Sequence, residues 1–253
     1  MSMMIFTIAT REFKSLFLSP LAWTVLAVLQ TILAYIFLTQ VETFNLLQPK
    51  LATIDSALGL ADIVITPLYS NAGIILLLIT PLLTMRLICE ERRHKTLSLL
   101  LSAPVSNVDI ILGKYLGLLS LLILAVLMIT LMPLSLLSGG ALDNGKLIAN
   151  LIALLLLVTA FTATGLYMST IASHPAVAAM GTFGTLLLLW ILDWSAGLQE
   201  QRSELFEYLS LLRHFQNIQS GLISSVDICY FILFTASFII LSIHSLANER
   251  LQK

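Results

Sequence analysis

Long apolar runs broken by short polar intervals set the pattern of this chain. The hydrocarbon core of a bilayer is about 30 Å thick and an α-helix rises about 1.5 Å per residue, so about 20 consecutive apolar residues make one crossing. Six runs meet that length, at roughly 21–41, 68–88, 115–137, 147–171, 176–194 and 228–247. Between 42 and 67, and again between 195 and 227, the chain turns polar enough to leave the hydrocarbon. The interval "SGGALDNGK" at 138–146 is a short turn rich in Gly, Asp and Asn, and "SHP" at 173–175 is a tighter one. The pattern predicts an all-α integral membrane protein, six transmembrane helices in a single transmembrane domain over 1–253.

The first twenty residues follow another rhythm. Ile5, Ala9, Phe13 and Leu16 recur at helical spacing with Phe6 and Phe17 beside them, while Thr7, Thr10, Arg11 and Lys14 occupy the other face. The segment lacks an uninterrupted apolar core and a small-residue cleavage site, so a secretory leader is not expected. Residues 1–20 are expected to form an amphipathic helix in the plane of the membrane surface, ending near Ser19-Pro20. A plain topology anchor fits the same pattern.

Composition agrees with a membrane solvent. The chain is 58% hydrophobic and 11% charged, with a mean hydropathy of +0.97; an average soluble domain carries about 25% charged residues. The net charge of −1 points to no acidic or basic partner, and no nucleic-acid partner is expected, so the distribution of charge matters more. With the N-terminus inside, the inner side holds nine basic residues: Arg11, Lys14, Arg86, Arg92, Arg93, Lys95, Lys114, Arg250 and Lys253. The outer side holds four, Lys50, Lys146, Arg202 and Arg213. Basic residues are retained in the cytoplasm, so both termini are expected there. Cys89 then lies at the inner end of span two and Cys229 at the outer start of span six, too far apart for a disulfide within one chain.

Several chemistries are missing. No span carries Asp, Glu, Lys or Arg near its middle, the place where proton-coupled carriers keep a functional ionisable group. His94, His174, His214 and His244 lie at membrane edges or in loops, which argues against paired mid-membrane haem ligands. There is no Gly-x-Ser-x-Gly elbow, no His-Glu-x-x-His and no phosphate loop. No catalytic, cofactor or metal residues are assigned on this chain, and any energy for transport has to come from another one. The polar groups within the spans, such as Gln30, Thr130, Thr159 and Thr162, are scattered, so a wide hydrophilic channel is not supported.

One stretch stands apart. In "RLICEERRHKTLSLLLSAPVS", residues 86–106, six charged residues fall within ten positions, followed by a leucine run and a proline. Glu90, Glu91, Arg92, Arg93 and Lys95 are expected to begin a short helix as span two leaves the membrane, with Glu91 and Lys95 at i, i+4. Leu97, Leu100 and Leu101 would form its apolar stripe, and Pro104 would close it. Such a helix suits a groove on a cytoplasmic partner. A positive-inside loop resting at the headgroups accounts for the same residues.

The run from 79 to 117, "ITPLLTMRLICEERRHKTLSLLLSAPVSNVDIILGKYLG", resembles the characteristic segment of ABC-2 type permeases, the membrane subunits of one class of ABC transporter. The matching residues are Pro81, Met85-Arg86, Glu90-Glu91-Arg92, Thr96-Leu97, Pro104-Val105-Ser106 and Gly113-Lys114. The start "REFKSLFLSPLAW" resembles the family's connector helix, and "RHFQNIQSGLISSVDICYFI" (213–232) resembles its gliding-motility and nitrous-oxide-reductase-maturation branch. The resemblance implies a permease of a bacterial inner membrane, paired with a second copy or a similar permease and driven by a cytoplasmic ABC ATPase dimer, which would hold ATP and Mg. It makes the segment near 90–102 a coupling helix: Glu90, Glu91, Arg92, Arg93, Lys95 and Thr96 would supply polar contacts, and Leu97 and Leu100 the packed face. The 172–175 turn would be a smaller second contact, and 195–227 would hold short helices dipping back at the outer face. Substrate export is one implied role. The alternative is a membrane anchor that passes ATPase motion to outer accessory proteins and moves no substrate.

Three further expectations are structural. Gly165, Gly181 and Gly184 are expected at close helix contacts, Trp190 and Trp194 as outer interfacial anchors with Trp23 as an inner one, and Pro133 as a kink in span three.

Overall fold

A computed structural model describes residues 2–51, 59–96, 105–138, 143–196, 208–222 and 224–251. Every regular element among them is helical. That outcome is forced wherever lipid surrounds the chain, because a helix satisfies its backbone polar groups within itself. In chain order the helices are α1 (Ser2–Leu18), α2 (Pro20–Leu51), α3 (Thr66–Thr84), α4 (Cys89–Arg93), α5 (Asn107–Leu134), α6 (Asn144–Ile171), α7 (Pro175–Ala196), α8 (Leu211–Gln219) and α9 (Ser225–Leu251). A π-helical turn over Ala61–Ile65 leads into α3, and a 3-10 turn over Ser135–Ser138 follows Pro133 at the end of α5.

Six helical stretches are long and apolar enough to cross a membrane: Pro20–Pro49, Ala61–Arg93, Asn107–Leu134, Asn144–Ile171, Pro175–Leu192 and Ser225–Glu249. They match the six runs in number and order, but most overshoot them. The 32 residues of α2 make a rod of about 48 Å at 1.5 Å per residue, well beyond the hydrocarbon. Once a helix is nucleated, each further residue adds a hydrogen bond, so polar residues such as Gln40 and Glu42 continue it.

Helix starts follow their caps. Ser106 Oγ accepts from the Asp109 N–H and donates to Asp109 Oδ2 at 2.6 Å, closing the first turn of α5. Asp143 Oδ1 accepts from the N–H groups of Gly145 and Lys146 at the start of α6.

α6 is the central post, packed by α3, α5, α7, α8 and α9, and its buried side chains run from Leu147 to Thr170. By contrast α2, α7 and α9 keep most of their length exposed. The bundle has two ends. α1, α4, the start of α5 and the end of α9 gather at one, the α4 end; the Ala61–Ile65 turn, α8 and the starts of α6 and α9 gather at the other, the α8 end. Both terminal helices therefore reach the α4 end, and Cys89 and Cys229 lie at opposite ends.

The tryptophans and glycines singled out in the sequence take different roles. Trp190, expected as an outer anchor, is half-buried and packs within the bundle: its ring stands between Phe161 and Phe215, with centroids 6.3 and 6.2 Å away, over the bare Cα of Gly73. A ring of that size is worth more packed against two other aromatics than left in lipid. A Cβ added at Gly184 would meet nothing within 4 Å, so that glycine is no close contact within the chain. Gly165 is one, since a Cβ there would fall 2.2 Å from Thr84 Oγ1. Trp23 is exposed, as an interfacial ring should be, and its Nε1 donates to the Phe17 carbonyl at 2.8 Å, tying α1 to α2. The side chain of Trp194 lies outside the described residues.

Candidate functional site

The α4 end is built on a break. Helix α3 stops at Thr84, four residues turn, and α4 begins at Cys89. A break of this kind frees backbone N–H groups, which are costly unless another group accepts from them. Ser169 of α6 does so: its Oγ accepts from the Ile88 N–H at 3.1 Å and the Cys89 N–H at 3.2 Å.

The helix that starts there is shorter than its sequence suggests. It ends at Arg93, and Lys95 takes a positive φ of 59°. The Lys95 N–H donates to the Arg92 carbonyl and the Thr96 N–H to the Glu91 carbonyl, the two bonds of a Schellman stop, here built on lysine instead of glycine. The expected single helix over 90–102 closed by Pro104 is thus corrected: the stop comes at Lys95, because a left-handed residue cannot carry a right-handed helix forward. Leu97 and Leu100, the expected packed face, lie outside the described residues, as does Pro104.

The charges of α4 divide between two directions. Glu91 does not turn along its own helix to Lys95. Its Oε1 accepts from Lys114 Nζ at 2.8 Å, and the same ammonium reaches Glu12 Oε1 of α1 at 2.6 Å. The Lys114 side chain is only 3% exposed. Arg92 turns the other way. Its guanidinium meets Glu249 of α9 at 2.6 Å and donates to the carbonyls of Thr170 and Ala172 where α6 ends. Cys89 Sγ also approaches the Ala172 carbonyl, so the 172–175 turn lies directly beside α4. Glu90 is half-buried, while Arg93, His94, Lys95 and Thr96 are exposed. Of the eight residues expected to meet a partner, Glu91 and Arg92 are therefore tied to other helices, Glu90 is half-buried, and Arg93, Lys95 and Thr96 are exposed, the Thr96 hydroxyl donating to the Glu91 carbonyl.

The seat for this arrangement is the stretch "GKYLG" at 113–117. A Cβ at Gly113 would come 2.6 Å from Ile8 Cγ2, and one at Gly117 would come 2.6 Å from Glu12 Cβ and 3.0 Å from the Ala9 carbonyl oxygen. The two bare glycines let α1 lie against α5 at a distance no side chain allows. Lys114, on the turn between them, is thereby delivered to Glu12. Sequence reading placed Lys114 among inner-face charges and missed this role; the Gly-x-x-x-Gly spacing around it was the available signal. It also assigned the α1 face of Ile5, Ala9, Phe13 and Leu16 to the membrane surface, whereas Ile5, Ile8, Ala9 and Glu12 bear on α5 and Phe6 is exposed.

The α8 end carries a separate buried network. His214 Nδ1 lies 2.5 Å from Asp227 Oδ1 and Nε2 lies 3.0 Å from the Tyr208 carbonyl, so both ring nitrogens face acceptors. The ring also stacks on Tyr230, with centroids 4.0 Å apart. Nearby, Lys146 bonds Asp62 at 2.6 Å and Ser70 Oγ donates to Gln219 Oε1. Of the 195–227 region, expected to hold short helices, the described part supplies α8, packed on α6, α7 and α9.

Several polar groups scattered through the spans bond locally, whereas Gln40 Oε1, Asn150 Oδ1 and Thr235 Oγ1 are buried without a partner. Gln30 Nε2 donates to the Ala125 carbonyl, Tyr69 OH to Thr130, Tyr115 OH to the Thr159 carbonyl, and Thr162 to the Val158 carbonyl. The described residues contain no group of three or more His, Cys, Asp or Glu able to hold a metal ion.

A family model described as ABC-2 family transporter protein matches residues 6–249, nearly the whole chain. No curated protein matches it.

Proposed function

The chain belongs to the ABC-2 family of transporter proteins, and from that premise we propose that it is the permease subunit of an ATP-driven transporter whose energy comes from a separate cytoplasmic ATPase docked at the α4 end. The observation that carries the proposal is the double tether of α4. Through Glu91 and Lys114 it is joined to α1 and α5, and through Arg92 and Glu249 to α6 and α9. A partner that moves α4 therefore moves four helices, which is what a coupling element needs. Arg93, Lys95 and Thr96, exposed at the end of α4, would offer polar contacts to the partner, with Leu97 and Leu100 as the packed face and the 172–175 turn as a lesser contact.

In this reading the α4 end faces the cytoplasm of a bacterial inner membrane, with both termini on that side, following the nine-to-four basic asymmetry. The exposed lengths of α2, α7 and α9 fit a second copy or a similar permease in the same membrane. ATP and Mg belong to the partner, and the direction of transport is outward. The stretch 213–232 supports a place in the gliding-motility and nitrous-oxide-reductase-maturation branch. A second reading draws on the scattered span groups Gln30, Thr130 and Thr162, which bond within the chain: the protein then relays ATPase motion to outer accessory proteins.

Changing both Leu97 and Leu100 to Asp tests the docking, since an unpaired charge in a desolvated groove costs several kcal/mol. The variant should insert normally and lose its ATPase in a detergent pull-down. Wild-type recovery of the ATPase with this variant would refute docking through that face.

A further inference from the structure

A cavity of about 350 Å³ opens beside the α4 tether, walled by α1, the start of α2, the end of α3, α4 and Lys114. Its charges balance, three cations (Arg11, Arg86, Lys114) against three carboxylates (Glu12, Glu90, Glu91). They are not equally satisfied. Lys114 joins Glu12 to one oxygen of Glu91, but the other, Glu91 Oε2, is buried with no hydrogen-bond partner. Among the described residues the guanidinium groups of Arg11 and Arg86 and the carboxylate of Glu90 make no hydrogen bond or ion pair either. Half of the wall is apolar, with Leu21 at the first turn of α2 and Leu83 at the last turn of α3. Both residues mark the ends of spans, so the cavity sits at headgroup depth.

We infer that this cavity holds the headgroup of a zwitterionic phospholipid carrying a primary ammonium, a phosphatidylethanolamine. Two free guanidinium groups suit a phosphodiester, which they bind with charge-assisted hydrogen bonds. The buried Glu91 Oε2 needs an N–H donor, and Glu90 beside it adds a second acceptor; an ethanolamine ammonium supplies three donors. A choline headgroup has the same charge and no N–H, so it leaves Glu91 Oε2 unsatisfied. A glycerol headgroup leaves Glu90 without a cation. The apolar part of the wall then receives the start of the acyl chains. This site is independent of the coupling reading, since it needs only the span ends to lie at the membrane boundary.

Native mass spectrometry of the full-length protein, released from nanodiscs of matched acyl composition, tests the inference. One retained ethanolamine lipid per chain is expected, with choline lipid held roughly tenfold more weakly, the worth of one charge-assisted hydrogen bond. Arg86→Gln should abolish retention of both. Glu90→Gln, at a half-buried position outside the Lys114 bridge, should narrow the preference for ethanolamine over glycerol lipid while leaving the thermal midpoint near wild type. Equal retention of ethanolamine and choline lipids would overturn the inference, as would an unchanged lipid preference in Glu90→Gln. Full competition by free phosphoethanolamine would overturn the lipid assignment in favour of a soluble ligand. None of these readings uses ATPase docking, so they stand or fall apart from the Leu97/Leu100 pull-down.

Discussion

At the α4 end Lys114 gathers carboxylates that lie 102 and 23 residues away, and Arg92 finds its own 157 residues away. At the α8 end His214 meets Asp227 across 13 residues. The α8 pair pins one short amphipathic helix to the next element in the chain, so breaking it should loosen a corner. The α4 ties join two packed pairs, α1 with α5 and α6 with α9, that lie far apart in the sequence, so breaking them should cut a mechanical link. Burial is similar at Lys114 and at His214–Asp227; the difference lies in what each network joins.

The sharpest way to break the comparison is Lys114→Met. It strands two carboxylates beside each other next to the cavity, and removing one member of a buried ionic cluster costs about 3–5 kcal/mol. The detergent-solubilised protein should melt well below wild type, and ATPase bound to it should no longer respond to permease substitutions elsewhere. Wild-type melting would show that α1 and α4 are held by packing alone.

Asp227→Asn is the matching lesion at the α8 end. An amide keeps a weaker acceptor for His214 and loses the charge, a change of about 1.5–3 kcal/mol. Thermal stability should fall by that order while ATPase recovery in a pull-down stays at wild type. Loss of the ATPase would erase the division between the two ends.

Next comes a pair of glycines. Gly117→Ala forces a methyl group against Glu12 Cβ and the Ala9 carbonyl, and overpacking of this kind costs about 1–3 kcal/mol. Gly184→Ala meets nothing within the chain and should change the stability of the single subunit by less than about 0.5 kcal/mol. Limited proteolysis near α1 would report the first directly: cleavage should speed up in Gly117→Ala and remain unchanged in Gly184→Ala. Equal behaviour of the two would discard the glycine seat for α1.

The smallest effect is expected at Asp62→Asn. Its bridge to Lys146 is close to a third exposed on both sides, and pairs of that kind contribute at most about 1 kcal/mol. A melting shift as large as that of Asp227→Asn would mean that the Ala61–Ile65 turn carries more of the α8 end than its exposure suggests.

Span number, span order and the common end of the two terminal helices were determined by the sequence alone. Hydrophobic length belongs to contiguous residues, and a bilayer reads it without any tertiary structure. The match over 6–249 rests on the same linear information. Which side of each span faces its neighbours was not legible, because helices that are apolar all round mark no face. The sequence therefore could not show that Trp190 packs among Phe161, Phe215 and Gly73. The α4 site divided in the same way. Its charge cluster was visible as six charged residues in ten, but the inward turn of Glu91 and Arg92 depends on partners in α1, α5 and α9, and the stop at Lys95 on a positive φ that lysine seldom adopts. Only the folded chain sets those contacts, since an ion pair across a hundred residues leaves no periodic trace in the sequence and forms only where packing has already brought the helices together.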